Sequence, residues 1–239
     1  MPSLNFVQLN IERAKHFDKI IPFLKDHKPD TFCFQELREP DIPLFEKELG
    51  VSCFFAPMTI HPSEGEPANM GVGIFSRLPV KDMYAEYYFG DRNPREFTFS
   101  GDLDNMSRVF AYLDVEKDGE IFRIGTTHFT WSGRGIISER QNGDFAGLSR
   151  ILDKAEEIVF SGDFNAPRGG EIFSRLASRY KDNVPPEYTT SIDPNMHRNG
   201  KIELMVDGLF STPKYEVSDV KMVCGLSDHC ALTAKISKV

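Results

Sequence analysis

Nine side chains in this sequence can do chemistry together: Asn10, Glu36, Arg108, His128, Asp163, Asn165, Asp207, Asp228 and His229. Glu36 is a hard oxygen donor of the kind that suits Mg²⁺ or Mn²⁺. Asp228 can reach such an ion directly or through water. Asn10 can bind the ion, or hold Glu36 or a metal-bound water from behind. Asp163 is acceptor-only when ionised, so it can orient or deprotonate an attacking water. Asn165, His128 and Arg108 can donate to oxygens that gain negative charge. His229 can deliver a proton, and Asp207 can fix its tautomer. Phosphoester hydrolysis needs this list: a Lewis acid on the phosphoryl oxygens, an activated water and help for the leaving group.

The elements that must position these groups alternate between strand-like and helix-like segments, which argues for an α/β architecture. Residues 4–10 alternate apolar and polar and read as a strand. Phe17, Ile20, Ile21 and Leu24 make one helical stripe, interrupted by Pro22, so that helix kinks or starts late. DTFCFQE and GVGIFS read as buried strands. RVFAYLDV and IFRIGTTHF flank Asp118–Gly119, a strong hairpin-turn signal. Ser138 with Gln141 resembles a capping box, and Phe145, Leu148, Leu152 and Ala155 follow at helical spacing. EIVFSGDFN is again a buried strand, EIFSRLASRY a short helix, and ELMVDGLF and HCALTAKI close the chain as strands. Apolar runs that end in carboxylates, amides and imidazoles imply one shared rim on a rigid scaffold.

Composition narrows the class. The chain has 239 residues, 40% hydrophobic and 27% charged, enough for one domain with a real core. A net charge of −8 does not favour long-range attraction to nucleic acid or an anionic membrane. A local positive patch or a bound cation would still hold a phosphate. The four cysteines lack C-x-x-C spacing, which points to free thiols, a reducing compartment, and neither a disulfide framework nor a zinc site. No signal-like N-terminus and no membrane-spanning stretch is evident, so the expected location is the cytoplasm, with no stable membrane association.

The order of these motifs resembles the endonuclease/exonuclease/phosphatase superfamily. LNIER carries the early Asn10, PDTFCFQE the strand-end Glu36, and GVGIFSRLPV the Gly-containing strand ending in S-R-x-P. Arg108 precedes the next strand, and TTHF gives His128. SGDFNAP gives Asp163 and Asn165, MVDGLF gives Asp207, and SDHC gives Asp228 and His229. The match runs from residue 10 to residue 229. Singly the motifs are weak; in order they are specific. The resemblance implies a four-layer α/β/β/α sandwich and a hydrolase with Mg²⁺ or Mn²⁺ as cofactor. It implies in-line attack of water without a covalent intermediate. Two departures stand out. Gly208 follows Asp207 where many members have an aromatic, and Met205–Val206 precede it where a basic or aromatic residue is common.

The expected substrate is a phosphoester, with nucleic acid first and a small or lipid-derived phosphoester as the alternative. A binding module that kept the fold without catalysis is the rival from another class. Residues 84–99, rich in aromatics and arginine, have two readings: a base-stacking and phosphate-binding segment, or a strand with a half-buried aromatic face. Trp131 and Arg134 follow His128 closely and have two readings: a lip over the site, or, for the lone Trp, a surface anchor against neighbouring elements. Zinc-hydrolase spacing, a G-x-S-x-G elbow and a P-loop are absent from the sequence.

Overall fold

Phe6, Gln8 and Asn10 alternate with Val7 and Leu9 along the first strand, and the two sets bury against different layers. That period of two is repeated across both sheets of the molecule. The computed structural model describes residues 2–62, 65–100 and 103–239. Its first half runs β1 (Ser3–Asn10), α1 (Phe17–His27), β2 (Thr31–Arg38), α2 (Ile42–Leu49), β3 (Ser52–His61), β4 (Ala68–Ser76) and β5 (Val80–Phe89). Two short strands, β6 (Phe99–Ser100) and β7 (Leu103–Asp104), lead into β8 (Arg108–Lys117) and β9 (Glu120–His128). The rest runs α3 (Glu139–Ala155), β10 (Val159–Asp163), α4 (Glu171–Ala177), β11 (Lys181–Asp182), β12 (Asp207–Ser211), β13 (Tyr215–Val223) and β14 (Ala231–Lys238).

One six-stranded sheet has the order β13-β14-β1-β2-β4-β3, the other β11-β12-β10-β9-β8-β5. Within them β1–β2 and β9–β10 are parallel, and their neighbours are antiparallel. Leu4, Phe6, Cys33, Val109, Ile124, Val159, Leu209 and Leu232 pack between the sheets. Ile20, Leu24 and Phe45 of α1 and α2 cover the outside of the first sheet. Leu148, Leu152 and Phe173 of α3 and α4 cover the outside of the second. The layers are therefore helix, sheet, sheet, helix, the four-layer α/β/β/α sandwich that the resemblance implies. Among the described residues no helix is long and apolar enough to cross a membrane.

Local signals act as expected at several points. Asp118 and Gly119 both take positive φ (52° and 84°), as a two-residue hairpin loop between Lys117 and Glu120 requires. α1 departs from expectation in not starting late: it begins at Phe17 and carries Pro22 inside. Ser138 caps α3 by accepting the Gln141 backbone N–H at 3.1 Å. The Gln141 side chain does not complete the box. It donates instead to the Thr130 carbonyl at 2.7 Å, binding the helix to the loop after β9.

Three elements have no clear sequence signal. β3 and β13 are edge strands carrying breakers: Pro57 beside a register shift in β3, and Asp219 at φ 53° beside a shift in β13. α2 spans only eight residues and has proline in its first turn. The cysteine expectation is also corrected: Cys224 and Cys230 form a disulfide. Asp193 draws their segment together, taking the Gly225 N–H on its carboxylate at 2.6 Å and giving its own N–H to the Asp228 carbonyl. No spacing rule for short motifs captures that approach. Cys33 is a buried free thiol, as read.

Residues 84–89 belong to β5 and serve structure. Tyr84 stacks on Tyr112 at 4.6 Å, the Tyr88 hydroxyl bonds Thr127 at 2.8 Å, and Phe89 lies under the Arg140 guanidinium.

Candidate active site

The strand register lines up the chemistry. His128 at the end of β9, Asp163 at the end of β10 and Asp207 at the start of β12 are direct neighbours across the second sheet. Asp207 and His229 lie at strand beginnings rather than ends. β12 and β14 run antiparallel to β10 and β1, so their starts share the rim where the others finish. Gly162 makes the close pairing possible: a Cβ there would lie 2.0 Å from the Thr127 carbonyl oxygen. Gly208 is equally constrained, because the rings of Phe164 and Phe210 fill the room a side chain would need. That packing accounts for a glycine at this position.

The first sheet supplies the facing half. Asn10 ends β1. Glu36 sits at a bulge in β2: Phe34 pairs Gly73 and Leu37 pairs Gly71, so Gln35 and Glu36 oppose a single residue of β4. Glu36 takes φ 55°, in the left-handed region. Simple alternation would send Glu36 toward the helix layer with Phe34. The bulge keeps Phe34 and Leu37 in that layer and releases Glu36 to the rim. Glu12, Arg13 and Asn165 also take positive φ at the rim. Such backbone concentrates at functional sites, where the surroundings over-determine it.

Hydrogen bonds join the two halves. Asn10 Nδ2 donates to Asp163 Oδ2 at 3.2 Å and to Glu36 Oε1 at 3.4 Å, while Asn10 Oδ1 accepts the Glu12 N–H. The amide is thus occupied in holding two carboxylates and the next turn. His229 Nδ1 contacts Asp207 Oδ2 at 2.7 Å, and its Nε2 lies 3.7 Å from Asp163 Oδ2. His128 Nε2 lies 3.4 Å from the same oxygen. Asn165 gives its backbone N–H to Asp163 Oδ1 at 2.9 Å and one side-chain hydrogen to the Phe129 carbonyl at 3.0 Å. Its second hydrogen remains for a ligand.

Arg108 is almost wholly buried beneath the floor. It pairs with Asp104 and donates to the carbonyls of His128 and Phe129 at 3.2 Å each. The guanidinium fixes the segment that presents His128, and only its Nε lacks a partner.

Electrostatics separate the two imidazoles. Burial pushes His128 down to about 4, so its ring is neutral. Burial also works against charge on His229, but the Asp207 and Asp163 carboxylates outweigh it and hold the ring well above its ordinary value. Burial raises the Glu36 carboxyl; Arg13 opposes that rise and Asp228 adds to it. Burial likewise raises Asp228. Glu36 and Asp228 are an oxygen-only, hard donor pair, with Asn10 engaged behind Glu36 and not presented to an ion, and Mg²⁺ commonly takes one or two carboxylates with water for the remainder. Two buried-rim carboxylates raised in this way are what a divalent cation relieves, so the residues fit such an ion.

Glu36, Arg108, His128, Asp163, Asn165, Asp228 and His229 border one cavity of about 1010 Å³, with Asn10 and Asp207 buried behind them. Glu36 and Asp228, far apart in sequence, both line it. Sequence reasoning missed several other members. Glu12 holds Lys15 and His16 at the mouth, and Arg13 reaches Glu36 at 2.9 Å. Glu12 lies two residues after Asn10, and that nearness was the available signal. Two residues the sequence reading did single out, Phe99 and Trp131, 54% and 38% exposed with ring centres 5.7 Å apart, form one wall. The Arg134 side chain lies outside the described residues.

A sandwich of two sheets with an acid, amide and imidazole rim defines the class as the DNase I-like α/β/β/α fold. The chain belongs to the Endonuclease/Exonuclease/phosphatase family, whose model matches residues 7–229. Among solved structures, an endonuclease/exonuclease/phosphatase from Bacteroides vulgatus superposes with a TM-score of 0.76 at 17% identity over 100% of both chains. D. rerio TDP2, solved with a single-strand DNA product, gives 0.71 at 14% identity over 100% of both chains. A mannosyl-6-phosphatase from Bacteroides thetaiotaomicron gives 0.70 at 14% identity over 98% of this chain and 99% of that one. The search of curated proteins gave no match.

Proposed function

We propose that the protein is a divalent-metal-dependent phosphodiesterase of the nuclease type, acting by in-line attack of water. The observation that carries this reading is the convergence of Glu36, Asp163, Asn165, Asp228 and His229 on one cavity, with Asp207 bonded behind His229. Mg²⁺ or Mn²⁺ held by Glu36 and Asp228, with Asn10 steadying Glu36, supplies a Lewis acid for the phosphoryl oxygens when bound. Asp163 orients the attacking water and accepts its proton. The free amide hydrogen of Asn165 and neutral His128 donate to non-bridging oxygens as negative charge builds. Protonated His229, steadied by Asp207, donates to the phosphate or leaving oxygen. Arg108 supports His128 from beneath and bears on phosphate through that support.

A phosphatase acting on a small phosphomonoester is the second reading, favoured by the likeness to the mannosyl-6-phosphatase fold. The test is hydrolysis of bis-p-nitrophenyl phosphate with Mg²⁺ or Mn²⁺, with and without EDTA. A panel of single- and double-stranded DNA, RNA, a phospholipid and inositol phosphates accompanies it. Metal-dependent cleavage of a diester that Asp163→Ala abolishes supports the proposal. Turnover confined to monoesters supports the second reading. No metal-dependent turnover of any member, together with no loss on Asp163→Ala, favours a binding module.

A further inference from the structure

We propose that Gln8 is a positioning residue for the hydrolytic step, holding Asp207 and through it the ring of His229; the inference rests on the hydrolase reading of this site. Gln8 is fully buried on the face of β1 that carries Leu4 and Phe6 into the core between the sheets. A primary amide in that layer is costly unless it is hydrogen-bonded. Its Nε2 donates to Gln35 Oε1 and to Asp207 Oδ1, both at 2.8 Å. Gln35 Nε2 in turn donates to Thr126 Oγ1 at 2.9 Å. The chain Thr126, Gln35, Gln8, Asp207, His229 thus passes from the second sheet into the first, back to the second, and out to the rim. Every link but the last residue is wholly buried.

The orphaned atom is informative. Gln8 Oε1 is buried with no hydrogen-bond partner. Turning the amide over would set that oxygen against the Gln35 oxygen and the Asp207 carboxylate, two acceptors. The orientation with an unpartnered oxygen is therefore the one that serves Asp207. The two carboxylate oxygens of Asp207 are shared between Gln8 on Oδ1 and His229 on Oδ2 at 2.7 Å. Without Gln8, Oδ1 loses this donor, the carboxylate can rotate, and His229 loses a fixed acceptor. Buried carboxylate partners of catalytic imidazoles act by orientation, and their supports matter for the same reason.

The test is Gln8→Leu, with Gln8→Met as a second variant should the first not fold, assayed on bis-p-nitrophenyl phosphate with Mg²⁺. The expected result is a kcat about tenfold or more below wild type, with KM and the Mg²⁺ titration unchanged. In a His229→Ala background the same substitution is expected to cost less than about twofold, because its effect passes through His229. By proton NMR, the downfield Nδ1–H resonance of His229 should move upfield or be lost in the variant. Wild-type kcat with an unmoved resonance overturns the proposal. So does an equal loss in both backgrounds, which marks Gln8 as merely structural. If the wild-type enzyme turns over no phosphoester, the hydrolase reading falls and the catalytic role of Gln8 with it; turnover undiminished by Gln8→Leu overturns the Gln8 proposal alone.

Discussion

Glu36 carries its charge where burial opposes it. A carboxyl whose folded value is raised weakens the fold whenever it is ionised, and the penalty fades as pH falls through that raised value. Glu36→Gln should therefore raise the thermal unfolding midpoint at neutral pH in EDTA. Mg²⁺ should stabilise the wild type, by about 2.7 kcal/mol at a hundredfold excess over its Kd, and the variant far less. Thermal denaturation with and without metal checks both; equal metal stabilisation would remove Glu36 as a ligand. His229 has the opposite sense. A histidine raised in the fold contributes stability in full below its ordinary value near 6.5 and loses it as pH rises through the raised value. If the imidazolium donates in the reaction, kcat falls along that same alkaline limb. His229→Ala should lower turnover on the order of a hundredfold and erase the limb. His128, neutral above about 4, should contribute no limb near neutrality.

At the scale of elements, irregularities of regular structure aim the side chains. The β2 bulge turns Glu36 out of the helix-facing layer, and the cap and side chain of Gln141 tie α3 to the loop after β9. The segment before β14 is held by the Cys224–Cys230 bridge, which closes around Asp228 and His229. A bridge with sequence separation 6 stabilises chiefly by restricting the unfolded chain, by about 2 kcal/mol for so short a loop. Cys224→Ser, with Cys230 also replaced by Ser, should lower stability by about that amount in urea unfolding. Turnover should drop as well, because Asp228 and His229 lose a tether; unchanged kcat under folded conditions would show that the Ile192–His229 bridge suffices alone.

For the whole molecule, the site exists only where the two sheets meet, and the chain as a whole carries a net charge of −8. Long-range attraction to duplex DNA is therefore weak, and short-range stacking at Phe99 and Trp131 has more to contribute. Trp131→Ala should raise KM for a single-stranded oligonucleotide about tenfold with little change in kcat. Steady-state kinetics on single and double strands checks this, and equal effects on both would argue against stacking of unpaired bases. Much of this was legible in the chain. The period-two runs, the Asp118–Gly119 turn and the Ser138 cap are local, set by φ preference and side-chain alternation within a few residues. The ordered G-D-F-N and S-D-H motifs identified the family because their residue types and order survive without coordinates. The edge strands β3 and β13 were not legible, since pairing with neighbours overrode their prolines and charges. Nor were the Cys224–Cys230 bridge, the Arg13–Glu36 pair or the burial of Arg108. Sequence alone determined which groups this protein carries and the strands that bear them. Tertiary structure decided which groups touch, because contacts such as Gln8 with Asp207 span 199 residues and arise only when two independently patterned sheets pack face to face.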